Sequence, residues 1–157
     1  MAATMSLPAA LSPTLSDRDT VADALYRFIA SFDTSDVALF MSSFTQDGVL
    51  DINGRTIEGL DKIRTDCYDP VSKFDTTHFA TNIRINITGS KATMSANALA
   101  QHYRAGTGRE TGASRYLTGG LYLIDLVKDD TEGLWKIKHF KIKAVWAEGD
   151  RSVVRGD

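Results

Sequence analysis

The chain has 157 residues, a net charge of −2 and 43% hydrophobic residues, which predicts one globular domain able to bury a core without cross-links. So small a charge gives no electrostatic basis for nucleic acid or an anionic membrane as partner, and no apolar run is long enough to span a bilayer. The lone Cys67 has no partner cysteine and no surrounding ligand cluster, so neither an internal disulfide nor a metal site is expected.

The opening "MAATMSLPAALSPTLS" lacks the basic start and long apolar stretch of a secretory leader. Residues 1–15 therefore read as a flexible arm, and the chain as cytoplasmic. Ser16 followed by Asp19 resembles a capping box, and Val21, Leu25, Phe28, Ile29 and Phe32 recur at helical spacing. This predicts an amphipathic helix over 17–31. "DTSD" at 33–36 breaks it and caps a second helix with Val37, Phe40, Met41 and Phe44 on its face. "QDG" at 46–48 reads as a turn, and "VLDI", "NG", "RTI" as a small hairpin. "EGLDKIRTDCYD" repeats Leu60, Ile63 and Cys67 at helical spacing and is expected to end before Pro70.

Beyond that point the chain becomes strand-like over 77–88, 91–104, 115–127 and 134–147. "TGSK" joins the first pair and "KDDTEG" the last, which predicts an antiparallel meander. "GTGRETG" at 106–112 does not fit a dinucleotide fingerprint and reads as a loop. Helices first and strands second indicate α+β, with a long curved sheet folded over the helices around a cone-shaped space. One domain is expected over 16–150, followed by a surface tail over 151–157 that ends in "RGD".

Several side chains are candidates for chemistry. In "TTHFATN" and the residues that follow, Phe79, Thr81, Ile83, Ile85 and Ile87 share one parity, and His78, Ala80 and Asn82 the other. Two readings stand. Either the isoleucine face is the core and His78 meets solvent, or both faces are covered and His78 looks into a pocket. In "TMSANALAQHYR", Met94, Ala96, Ala98, Ala100 and His102 share a face. The alanines either leave room for a cavity with His102 at its end or serve close packing with His102 in solvent. Asp33 suits a helix N-cap, or a partner that holds an imidazole through its ring N–H. Trp146 is a pocket wall or a core plug, Trp135 core, and His139 exposed, while Tyr116 and Tyr122 are candidate pocket hydroxyls.

Four segments, "FIASFDTSDVALFMSSFTQDGVLDING", "TTHFATNIRINITGSKATMSA", "TGGLYLIDLVKDDTEGLWKI" and "VWAEGD", occur in that order. Together they resemble the SnoaL-like branch of the NTF2-like superfamily, nearest to its scytalone dehydratase-like pattern. The resemblance implies an α+β cone-shaped barrel in which N-terminal helices pack on a curved antiparallel sheet. It implies a concave face that lines a pocket and an outer face, carrying the isoleucine stripe, that packs on another copy in a homodimer or homotrimer. "SFDTSD" supplies Asp33, "THF" His78 and "AQHYR" His102 as the catalytic set. Phe32 stands where that pattern has a tyrosine, Ile52 lies near the place of a second, and Thr118–Gly120 replaces its Ser-x-Asn. Loss of the tyrosines that hold a water on the substrate carbonyl puts scytalone in doubt as substrate. Phe32, Ile52, Asn82, Tyr116, Tyr122 and Trp146 are the expected substrate-binding residues.

The expected activity is a dehydratase or isomerase with neither cofactor nor metal, acting on a small apolar cyclic, polyketide-type or terpenoid-type substrate. His78 would be the general base, Asp33 its orienter and His102 a proton donor. One alternative is an epoxide hydrolase or cyclase that draws on Asp33 with Asp51 or Asp125. The other is a non-catalytic binding module, for which His78 would be exposed and without a partner.

Overall fold

In the computed structural model, which describes residues 5–155, the first helix starts where the capping pattern predicts. The Ser16 hydroxyl accepts from the Asp19 N–H at 3.2 Å and donates to Asp19 Oδ2 at 2.6 Å. Helix α1 (Asp17–Thr34) runs past the expected end at residue 31 and closes on Ser35, which is left-handed at φ 52. Asp36 rather than Asp33 caps α2 (Val37–Ser43), accepting from the Leu39 N–H at 2.9 Å. Asp33 thus stays inside the last turn of α1 with its carboxylate uncommitted to a cap. Residues 1–4 of the arm and 156–157 of the tail lie outside the described residues. The described part of the arm has no helix or strand, and Ser6 donates to Asp36.

Strands β1 (Phe44–Ile52) and β2 (Arg55–Glu58) form the expected hairpin, with Asn53 at φ 54 and Gly54 at φ 88. Both central residues are left-handed, the geometry that matches strand twist and favours Asn-Gly. "QDG" does not turn the chain. It lies within β1, which is bulged between Phe44 and Val49. A Cβ on Gly48 would come within 2.6 Å of the Phe44 ring, so the bulge folds onto that ring only with glycine there. The third helical segment is composite: α3 (Leu60–Ile63), a wide π turn (Arg64–Tyr68) and α4 (Asp69–Val71). It continues through Pro70 because the proline occupies the first turn of α4, where a backbone N–H is not needed.

The long strands are β3 (Asp75–Thr88), β4 (Lys91–Tyr103), β5 (Arg115–Asp129) and β6 (Leu134–Gly149). They pair antiparallel, and β1 joins β6 in parallel, for a sheet order β2-β1-β6-β5-β4-β3. The sheet is curved and unclosed, in the manner of the NTF2-like cone, with α1 packed on its inner face. Phe28, Phe32, Phe40, Phe44 and Phe140 meet between the layers with Leu25, Leu50 and Ile124. The tail turns once, over Arg151–Val153, and Val153 is buried.

One residue reverses the expected facing of the isoleucines. Asn82 is left-handed at φ 53, and the β3–β4 register slips between Thr81 and Arg84. An extra residue in one strand is a β-bulge, and a single-residue slip exchanges the two faces. Before it the even residues Thr76, His78 and Ala80 face inward; after it the odd residues Ile83, Ile85 and Ile87 do, and all three pack against the core. The isoleucine stripe is therefore not an outer, partner-facing surface. The outer face instead exposes Phe79, Leu99, Leu121 and Leu123.

Candidate active site

The end of α1 and the start of β3 bring Asp33 and His78 together. The His78 ring N–H at Nδ1 donates to Asp33 Oδ1 at 2.7 Å, and the His78 backbone N–H donates to Asp33 Oδ2 at 2.9 Å. The Thr76 hydroxyl donates to Oδ1 at 2.8 Å. A carboxylate only accepts, so His78 carries a proton on Nδ1, and in the neutral ring Nε2 is the free lone pair. Burial raises the Asp33 pKa, but the His78 ring and backbone bonds, the His78 charge and the Thr76 bond together outweigh it. The carboxyl ends below its ordinary value. The side chains of His78 and Asp33 keep 11% and 23% exposure, so the pair is sheltered yet within reach of solvent.

His102 lies on the inner face of β4, and its Nδ1–H donates to the Tyr116 carbonyl at 3.2 Å. Burial and then the neighbouring His78 lower its pKa, with the Tyr116 bond and Asp33 opposing. In the resting protein His102 is therefore a neutral imidazole with Nε2 as a hydrogen-bond acceptor. The proton-donor role expected of it needs a proton that the reaction itself must supply.

The sheet register builds a floor beside these groups. Ala80, Ala98, Gly120 and Ala144 stand opposite one another across β3, β4, β5 and β6 on the inner face. The adjacent row runs His78, Ala100, Thr118, Ala147, and the next Thr76, His102, Tyr116, Gly149. Ala144 and Ala147 are exposed and Ala98 only half-buried, so this part of the concave face is open rather than filled. The alanine stripe of β4 thus lines free space near His102. A separate surface groove of about 660 Å³ begins at Asp33 and Thr76 and passes Lys73, Tyr103 and Arg109 at the sheet edge; neither histidine lines it.

The remaining expected pocket residues divide. Phe32 packs on the His78 ring with centroids 5.4 Å apart, Ile52 is half-buried against the core, and Tyr116 shares the inner face with His102. Tyr122 is buried on the inner face, its ring edge-on to Phe140 at 4.8 Å. Two are misplaced. Asn82 is exposed, and its amide donates to Asn97 Oδ1 at 3.1 Å on the outer face. Trp146 is 48% exposed and lies over Gly119, whose added Cβ would meet the indole at 2.1 Å. Gly119 pairs with Leu99, so the indole covers the outer face and is neither pocket wall nor core plug. Trp135 is core and His139 exposed, as expected. Asp51 accepts from the Gly54 N–H within the hairpin, and Asp125 from the Thr93 hydroxyl on the outer face. Neither carboxylate joins the Asp33–His78 pair.

Thr76 escaped the sequence reading although it shares the parity of His78 two positions away. Tyr68 escaped it too; it stacks on Phe40 at 4.4 Å and packs on Phe32 behind the dyad.

A family model for a SnoaL-like domain matches residues 13–141. A Penicillium crustosum protein, terrestric acid biosynthesis cluster protein E, is 53% identical over 149 residues, covering 94% of this chain and 96% of its own. A scytalone dehydratase candidate from Novosphingobium aromaticivorans superposes with a TM-score of 0.73 at 19% identity, covering 86% of this chain and 88% of that one. The type 3 hexachlorocyclohexane dehydrochlorinase LinA of Novosphingobium barchaimii gives 0.68 at 16% identity, covering 87% and 91%. At these identities the two structures speak for the fold alone.

Proposed function

We propose, for a chain that belongs to the SnoaL-like domain family, that it is a cofactor-independent dehydratase or isomerase of secondary metabolism working by proton transfer at carbon. The observation that carries this reading is the 2.7 Å contact between Asp33 and His78. An imidazole backed by a carboxylate, with Nε2 free, is a general base suited to neutral pH. His78 takes a proton from a carbon next to a carbonyl. In dehydration the C–H electron pair becomes the new double bond, the C–O bond to a neighbouring hydroxyl breaks, and the imidazolium returns its proton to the leaving oxygen as water. In isomerisation the same proton returns to a different carbon. His102 accepts a hydrogen bond from a substrate hydroxyl and holds it in place.

The product named for the Penicillium relative is a secondary metabolite, which supports a role in such a pathway. The small apolar floor supports a compact cyclic or polyketide-type substrate. A binding module without catalysis has less support, because His78 is not an exposed, unpartnered histidine. Epoxide opening has less support because, among the described residues, neither Asp51 nor Asp125 joins Asp33. Self-association as a homodimer or homotrimer through the outer face rests on the exposed Phe79, Leu99, Leu121 and Leu123. Sedimentation of Leu121→Asp tests it: an unchanged mass would set that assembly aside.

The reaction is tested by placing His78→Ala in the organism that makes the protein and following its metabolites by mass. Accumulation of a precursor one water heavier than the lost product supports dehydration, and an isobaric precursor isomerisation. An unchanged profile sinks the reading.

A further inference from the structure

The groove at the sheet edge lies outside the proposed chemistry. It spans about 660 Å³ and runs from Asp33 and Thr76 to Lys73, Tyr103 and Arg109. It adjoins the catalytic pair, because Asp33 Oδ1 accepts both the Thr76 hydroxyl at 2.8 Å and the His78 ring N–H at 2.7 Å. Thr76 also stands in the Thr76–His102–Tyr116–Gly149 row of the concave face. A molecule on that face can therefore extend past Thr76 into the groove.

The loop "GTGRETG" forms one wall and is held in place. Asp75, the first residue of β3, accepts from the Gly106 N–H at 3.1 Å and the Gly108 N–H at 2.8 Å. A Cβ on Gly108 would come within 3.0 Å of Asp75 Oδ2, so glycine lets the loop close on the carboxylate and brings Arg109 to the groove. On the other wall, the Ser35 hydroxyl donates to the Ser72 carbonyl at 2.9 Å. That bond ties the residue before Lys73 to the end of α1.

Donors and acceptors in the groove are unequally used. Both carboxylates are committed, Asp33 to His78 and Thr76, and Asp75 to the loop. The cationic groups of Lys73 and Arg109 have no ion pair or hydrogen bond among the described residues. The Tyr103 hydroxyl accepts from Gln101 Nε2 at 2.8 Å, which leaves its own proton to donate. The groove thus offers two cations and a hydroxyl, while its charged acceptors are spent. This suits a ligand group that is anionic and only accepts, and a planar carboxylate matches a guanidinium through two parallel bonds.

We propose that the groove binds a carboxylate arm of the substrate at Lys73 and Arg109, while the reacting carbon lies at His78 on the concave face. This rests on the reading of His78 as the base and names the substrate class as a carboxylic acid. The arm takes no part in the reaction, so the product is an acid as well.

The test uses the full chain and NMR titration with 3-phenylpropanoate, its neutral amide 3-phenylpropanamide, and inorganic phosphate. Wild type should bind 3-phenylpropanoate roughly tenfold more tightly than the amide. In the double variant Lys73→Met, Arg109→Met that preference should disappear while amide binding stays the same. Both side chains are exposed, so the variant should melt with wild type. A preference that survives in the variant overturns the proposal, as does its absence from wild type or a wild type that does not bind 3-phenylpropanoate. Phosphate bound as tightly as 3-phenylpropanoate would make the groove a site for free anions and overturn it too. The His78→Ala strain gives a second readout: the precursor that accumulates there should carry a free carboxyl group by ¹³C NMR, and a precursor without one overturns the proposal. Unchanged metabolites in that strain sink the base reading alone, because probe binding needs no turnover.

Discussion

His78 and His102 meet edge to face, with ring centroids 5.5 Å apart and planes at 89°. Only His78 has a carboxylate behind it; the ring of His102 leans on a backbone carbonyl. Burial first, and then the neighbouring His78, keep His102 below its ordinary pKa.

Stability at mildly acid pH follows from His102. Its folded pKa lies below its ordinary value of 6.5, so the unfolded chain binds the proton first as pH falls. The contribution is fully present above about pH 6.5 and is lost on descent from there through the lower folded value. Wild type should melt at a lower temperature at pH 5 than at pH 7.5. His102→Asn should show a smaller difference between the two. An equal difference in both proteins would mean that His102 does not carry the effect.

Asp33→Asn should leave the fold standing and remove most of the activity. The amide can face His78 with its NH₂, which forces the imidazole into the tautomer that protonates Nε2 and destroys the base. A loss of about 10²- to 10⁴-fold in kcat is expected. Thr76→Val removes one bond to the same carboxylate and should cost about 0.5–1.5 kcal/mol of stability. It should also shift the acid limb of the pH–rate profile upward, because Asp33 loses a group that stabilises its charged form. A stability change with an unmoved profile would confine Thr76 to a structural role.

The β3 bulge should tolerate only certain residues at position 82. Asn82 at φ 53 occupies a region that costs other non-glycine side chains about 1–2 kcal/mol. Asn82→Gly should be close to neutral in chemical denaturation, and Asn82→Val should lose at least that amount. If Val is tolerated as well as Gly, the bulge is not what sets the register.

How far the sequence could be read depended on the range of the interaction. Ser16, the Asn53–Gly54 turn and the long alternating strands act locally, so their consequences were visible in short windows. The segment order placed Asp33 and His78 in a common fold. The bulge was not visible, because alternation through Phe79, Thr81 and Ile83 is unbroken in the letters and is broken only by the backbone of Asn82. The parallel pairing of β1 with β6 joins segments far apart in sequence, with no local mark. Trp146 was misread for a related reason: the bulge between Gly119 and Gly120 opposite it shifts the facing of the end of β6.

The floor row predicts selective loss of binding. Ala98→Phe should fill the open space without burying a polar group. Its melting temperature should stay within a few degrees of wild type, while KM for the native substrate, or the dissociation constant for a flat probe, should rise at least tenfold. Undiminished binding would mean that the substrate lies elsewhere in the cone.

The indole lying against Gly119 determines what light can report about this protein. Trp146 is on the outer face, and Trp135 is buried near the start of β6, at the far end of that strand from Gly149, which stands in the row of His102. Neither chromophore touches the catalytic cleft. Intrinsic fluorescence should therefore stay dark to whatever enters the cone and respond to whatever covers the sheet from outside. The protein carries an optical gauge of its own company, and a ligand assay needs a different signal.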